Sequence, residues 1–155
     1  MKTFIIRILA VFGVLGIIAG IIIAYGVMTD YKFTGEQLFA AVNEYRKSHN
    51  LSTLEIDSVL CDNLVERYLS IKEPNAGHKG YEEWIKNEGI DTNPKYGVIG
   101  ELYIKDTSTA QNAVAWWDES PGHKSTLMMK DMKYGCAYAN EGTGVVIMAT
   151  SKNPQ

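Results

Sequence analysis

Four side chains in this sequence combine proton-transfer and metal-ligating chemistry: His78, Glu101, Glu119 and His123. Imidazole and carboxylate both exchange protons near neutral pH, and both ligate Zn²⁺. Two of the four fall in one block, Trp116-Trp117-Asp118-Glu119-Ser120-Pro121-Gly122-His123-Lys124, together with two indoles and a helix-start signal. Each also has a plain structural reading. His123 at a helix start can pack or hydrogen-bond locally, His78 in its Gly-flanked loop can be solvated, and Glu119 can be a surface charge. Glu101 is the most informative, because it interrupts the apolar run Val98, Ile99, Leu102, Ile104. A carboxylate there costs free energy unless it is paired, although strand alternation can also turn it to solvent. Glu101 and Glu119 are therefore the candidate acids and His78 and His123 the candidate imidazoles. No HExxH, P-loop or GxSxG pattern accompanies them, and nothing marks Ser120 or Ser125 as an activated nucleophile.

The elements that must position these groups read as helices first and strands later. Thr34-Gly35-Glu36-Gln37 matches a capping box, followed by Leu38, Ala41, Val42 and Tyr45 at helical spacing. Asp57 is the expected N-cap of a second helix with Leu60, Cys61, Leu64, Val65 and Tyr68 on its buried face. Pro74 to Gly77 ends it, His78 follows, and a short helix through residues 82–86 stops at Gly89. Val98 to Ile104 reads as a strand. Ser108 and Gln111 suggest a second capping box, opening a helix with Ala110, Val114 and Trp117 inward. Ser120-Pro121 reads as N-cap and N1 of a new helical turn, where the missing proline N–H costs nothing. Met132 to Asn140 and Val145 to Ser151 read as paired strands across Glu141 to Gly144. This order predicts an α+β domain.

The amino-terminal stretch Ile8 to Met28 is uncharged and mostly apolar. As a helix it would span roughly 30 Å, one hydrocarbon core. Lys2 and Arg7 precede it, which places the N-terminus in the cytoplasm and the domain outside. The sequence thus divides into a cytoplasmic start (1–7), a transmembrane signal anchor (8–28), a linker (29–35), the domain (36–151) and a tail (152–155). A secretory signal peptide cut near Ala24-Tyr25-Gly26 is the alternative, and the domain then reaches the same compartment as a secreted protein. Two of the 15 basic side chains lie before the apolar stretch, while all 18 acidic ones follow it. The acidic remainder argues against a nucleic-acid partner, which needs a basic footprint.

Cys61 and Cys136 are the only 2 cysteines. A disulfide between them would close a loop of about 76 residues and contribute roughly 4 to 5 kcal/mol in the chain-entropy model. Two buried thiols are the alternative.

The ordered set of motifs resembles the CAP superfamily (cysteine-rich secretory proteins, antigen 5 and pathogenesis-related 1 proteins), and most its short bacterial SCP-domain branch. The matching residues are Asn43-Glu44-Tyr45-Arg46, Leu54, the helix start from Asp57 to Leu60, His78, Gly100-Glu101, Trp117 with Ser120-Pro121-Gly122-His123, and a strand after Gly135. The resemblance implies an α-β-α sandwich, a small antiparallel sheet flanked by helices. It also implies a cleft lined by two histidines and two acids, which can hold zinc or another divalent metal. In position, His78, Glu101 and His123 match three members of that set. The fourth acid is Glu119 if the register is counted from Trp116; Asp118 is the other candidate. Leu102 departs from the asparagine usual after Gly-Glu. The function expected is a membrane-tethered extracytoplasmic domain whose cleft binds a divalent metal and an envelope-associated lipid, glycan or peptide. A metal-assisted hydrolase of envelope peptide or glycan is the alternative, in which two imidazoles and a carboxylate hold the ion and the remaining acid works on bound water.

Overall fold

The computed structural model describes residues 33–74 and 76–153. The apolar stretch 8–28, and with it the expected anchor, lies outside the described residues; among these, no helix is long and apolar enough to cross a membrane. The described residues belong to one compact unit. Its first helix, α1 (Gly35–Ser48), opens with the expected box: the Thr34 hydroxyl accepts from Gln37 N–H, and the Gln37 amide oxygen accepts from Thr34 N–H. Phe33, one residue earlier, is already buried. The domain therefore extends into the stretch read from sequence as linker.

After α1, Asn43 clamps the descending chain by exchanging two hydrogen bonds with the backbone of Leu54. A two-residue strand, β1 (Glu55–Ile56), leads into α2 (Ser58–Asp62), which Asp57 caps by accepting from Val59 and Leu60 N–H. Asn63, at φ −109° and ψ 4°, interrupts the expected single helix, and α3 (Leu64–Lys72) follows. Leu60, Leu64, Tyr68 and Ile71 face inward; Val65, expected inside, is exposed. α4 (Tyr81–Asn87), β2 (Tyr96–Ile104), α5 (Ala110–Glu119), α6 (Pro121–Leu127), β3 (Met132–Asn140) and β4 (Thr143–Ser151) complete the order. The cap of α5 is Thr109 rather than Ser108. Thr109 has the extended backbone a cap requires, and its hydroxyl accepts from Asn112 N–H, while Ser108 Oγ takes the Asn112 side-chain amide.

The sheet order is β1-β3-β4-β2. β2–β4 and β3–β4 pair antiparallel, but β1 runs parallel to β3, so the sheet is mixed rather than antiparallel throughout. The parallel segment is short because Asp57, whose N–H donates to Gly135 O, turns the chain straight into α2. β3 and β4 join through Glu141-Gly142, both at positive φ (53° and 75°), the geometry that a tight hairpin demands. Two cores then form. Val146 and Met148 on β4 pack with α1, α5 and Trp117, while Val145, Ile147 and Ala149 pack with α2, α3 and Trp84. β4 is buried along nearly its whole length because helices cover both faces, which explains its unbroken apolar sequence. The layers are helix, sheet and helix.

Cys61 and Cys136 are bonded across the second core, with Cα atoms 5.3 Å apart and 75 residues between them in sequence. Reduction removes the constraint on that loop, so a Cys61→Ser, Cys136→Ser variant should lose about 4 kcal/mol of unfolding free energy in urea. A loss under about 1 kcal/mol would show that the two cores suffice without it.

Candidate functional site

The site lies where the two helical layers meet at the edge of the sheet. β2 is an edge strand, and Glu101 points from it toward α3. The loop after α3 carries His78, and α6 carries His123. α6 comes close because residue 100 is glycine: a Cβ there would lie 2.7 Å from Thr126 Cγ2. His123 sits one turn before Thr126 and so hangs over the strand edge beside Glu101. The α5–α6 junction fixes its aim. Ser120 is extended, as a residue before proline must be, and Trp117 anchors the preceding turn by donating its indole N–H to Tyr103 O at 2.8 Å.

Glu101 has a side chain only 1% exposed, and it is paired with an equally buried Arg67. Arg67 donates from Nε to Oε2 and from Nη2 to Oε1, the latter at 2.8 Å. The same guanidinium donates to the carbonyls of Lys79 and Gly77, on either side of His78. It thus neutralises the carboxylate and ties down the histidine loop. Glu101 Oε1 also lies 2.8 Å from His78 Nδ1. A carboxylate ion only accepts, so Nδ1 carries a proton, and in the neutral ring His78 Nε2 then presents a lone pair. That lone pair faces His123 Nε2 at 3.2 Å, and His123 Nδ1 lies 2.9 Å from Ser120 Oγ. As a hydrogen-bonded chain the set closes in one direction: Ser120 O–H to His123 Nδ1, His123 Nε2–H to His78 Nε2, His78 Nδ1–H to Glu101. Ser120 therefore sits at an N-cap position without capping; its hydroxyl serves the imidazole instead.

Burial first, and then the neighbouring His78 ring, hold His123 below the ordinary imidazole value of 6.5, with Glu101 opposing. The ring is therefore neutral at pH 7. Burial chiefly, with the Glu101 charge adding to it, pushes the Tyr81 phenol well above its usual range and keeps it neutral too. These groups line an open cleft of about 320 Å³ whose wall includes His78, Tyr81, Glu101, Ser120, His123 and Thr126.

A family model described as "Cysteine-rich secretory protein family" (CAP) matches residues 39–150. The chain belongs to the CAP family. A search of curated proteins finds no match. Solved structures share the fold. An extracellular SCP-domain protein of Bacillus anthracis is 16% identical with a TM-score of 0.62, covering 74% of this chain and 39% of its own. A cysteine-rich secretory protein of Staphylococcus aureus is 18% identical with a TM-score of 0.59, covering 75% and 38%. An outer surface protein of Borrelia burgdorferi is 20% identical with a TM-score of 0.57, covering 74% and 90%. This chain thus spans about two fifths of the first two.

In this CAP domain His78, Glu101 and His123 come together, and Glu119 does not join them. Glu119 ends α5, is exposed, and forms no part of the cleft wall. Trp117, not Trp116, is the buried indole, and that register turns Glu119 away. Asp118 faces α1, accepting from Tyr45 O–H at 2.5 Å and pairing with Lys124 at 2.8 Å. Leu102 is fully buried in the α1–α5 core on the opposite face from Glu101, so the departure from asparagine leaves the Glu101 contacts to Arg67. Arg67 is the residue that sequence reading missed. Its signal was available: Leu60, Leu64, Arg67 and Ile71 share one helical stripe, and a cation on an apolar stripe asks for a buried anion.

Breaking a buried pair from one side leaves an uncompensated charge. Arg67→Ala should therefore lower the unfolding free energy by about 3–5 kcal/mol, measured by urea titration at pH 7. Replacing both members, Arg67→Leu with Glu101→Leu, should recover most of that loss. A single variant as stable as the parent would contradict the pairing.

Proposed function

We propose that this is an envelope-tethered, extracytoplasmic SCP domain whose His78–His123 cleft binds a divalent metal together with an envelope-associated lipid, glycan or peptide. The observation that carries the reading is the pair of imidazole Nε2 atoms facing each other at 3.2 Å, each with its Nδ1 held by a fixed partner. Two nitrogens on one tetrahedral zinc, at bonds near 2.1 Å, lie about 3.4 Å apart, so the pair fits the spacing of a shared ion once the His123 proton moves to Nδ1 and is donated to Ser120 Oγ. The orientation by Glu101 is the outer-shell contact that metal-binding histidines commonly have. No group of three ligating side chains gathers anywhere among the described residues. His78 and His123 would supply two positions, and ligand or water the rest. A bound cation would supply Lewis acidity toward ligand oxygens.

The compartment is supported by the Cys61–Cys136 bond, which persists in oxidising spaces, and by the apolar, uncharged sequence from Ile8 to Met28. Two structural relatives, an extracellular protein and an outer surface protein, agree with it. Binding is favoured over metal-assisted hydrolysis because neither acid is free to serve a water. Both oxygens of Glu101 are engaged by Arg67 and His78, and Glu119 lies outside the cleft wall.

Calorimetry with Zn²⁺ on residues 30–155 tests the cleft. His78→Ala with His123→Ala should abolish the binding, Glu101→Gln should weaken it about 10- to 100-fold through His78, and Glu119→Gln should leave it unchanged. Equal affinity in the double-histidine variant and the parent would rule out the shared ion.

A further inference from the structure

We propose that Trp116 and the histidine cleft form one binding site for a neutral saccharide at least two rings long. This rests on the cleft reading above and names the ligand class within it. The doubled tryptophan is the starting observation. Trp117 is fully buried and ties α5 to β2, whereas Trp116 is 50% exposed. The Trp116 indole is not adrift on the surface: it packs against the His123 ring, with centroids 5.2 Å apart and planes at 51°. His123 is thus shared, one face of its surroundings being the polar cleft and the other an open aromatic platform. The Tyr103 ring packs edge-to-face with His78 at 4.7 Å and lies 6.0 Å from the His123 ring, backing both imidazoles without lining the cleft.

The wall chemistry selects the ligand class. Charge is compensated internally: Arg67 neutralises Glu101, and Lys124 pairs with Asp118 nearby. Apart from a cation held by the two histidines, an ionic ligand would find no free counter-charge on the cleft wall among the described residues. The polar groups left to meet a ligand are neutral ones, the lone pairs of Ser120 Oγ, the Thr126 hydroxyl and the Tyr81 hydroxyl beneath the wall. Among the described residues Tyr81 Oη is one of two buried side-chain polar atoms with no hydrogen-bond partner. A buried hydroxyl left unpaired costs about 1–3 kcal/mol, a cost that a ligand hydroxyl would remove by displacing the side chains that cover Tyr81 Oη. An acyl chain gains little in an open cleft with such walls, since it would strip polar groups of water without pairing them. A pyranose fits both halves. Its axial C–H bonds form a flat apolar face for an indole that is apolar in body and wet at its edge, and its hydroxyls meet neutral donors and acceptors. At about 320 Å³ the cleft is at the small end of ligand sites, enough for one ring, so the Trp116 platform takes the next.

The test uses the full chain purified in a detergent without a sugar headgroup. The probe is an N-acetylated β-1,4-linked tetrasaccharide, read by saturation-transfer NMR and by tryptophan fluorescence, with N-acetylglucosamine alone as the short control. Binding should be saturable, at least tenfold weaker for the single ring, and reduced at least tenfold by Trp116→Ala. Trp116→Phe should retain most of it, and Tyr81→Phe should weaken it several-fold. Zn²⁺ affinity of the parent is measured in the same preparation, and Trp116→Ala should keep the parent's circular dichroism spectrum and urea midpoint, which shows that the variant is folded. Tetrasaccharide binding that is absent, or equal in parent and Trp116→Ala, overturns the proposal. So does Trp116 quenching by a short peptide or by lipid vesicles but not by the saccharide. Zn²⁺ binding that survives alongside any of these failures leaves the cleft reading standing, whereas loss of both brings it down as well.

Discussion

The contact on which the site depends is the buried pair between Arg67 and Glu101. A lone carboxylate in that apolar layer would protonate or drag water inward. Arg67 removes the need for either, and its fork geometry fixes both carboxylate oxygens in place. Every later step follows from a carboxylate that is ionised, immobile and acceptor-only. It sets the His78 tautomer, which aims a lone pair at His123, which draws in the Ser120 hydroxyl. Buried ion pairs are a poor source of net stability compared with well-packed apolar residues. What this one contributes is an orientation that no apolar pair would supply.

The fold serves that orientation by bringing two helical layers to one sheet edge. α3 and the His78 loop belong to the layer stapled by Cys61–Cys136, and α6 belongs to the other. Gly100 lets α6 press onto β2 without a side chain in between. At the far end of α6, a second fully buried arginine, Arg46, donates to the carbonyls of Ser52, Leu127, Met129 and Met132 and locks the helix to α1. Two buried guanidiniums thus hold the two walls of the cleft, each by satisfying carbonyls that a tight chain reversal would leave unpaired.

Much of this was legible in the sequence, for stated reasons. Capping at Thr34 and Asp57, the Ser120-Pro121 helix start and the hairpin at Gly142 are local signals, decided within a few residues. His78, Glu101 and His123 could be named as candidates by residue type, Glu101 also by its apolar strand, but their grouping in one cleft came from the resemblance to the CAP superfamily. What escaped depends on contacts across the chain. Arg67 reads as an ordinary surface cation until its stripe is compared with Glu101, 34 residues on. The Trp116–Trp117 register could not be chosen from spacing, because either indole fits a helix face; only the Tyr103 carbonyl that Trp117 reaches decides it. Glu119 was grouped with the cleft acids for the same lack. The parallel β1–β3 pairing was missed because two residues carry no alternation to read.

The cleft therefore depends on the protonation pattern that Glu101 imposes. Long-range ¹H–¹⁵N correlation spectra of the metal-free, ¹⁵N-labelled protein at pH 7 report it directly. They should show His78 as a neutral ring protonated at Nδ1, and in the Glu101→Gln variant that fixed tautomer should give way to a mixture. A His78 ring protonated at Nε2 in the parent, or an unchanged pattern in Glu101→Gln, would contradict the chain from Arg67 to Ser120 on which the cleft is built.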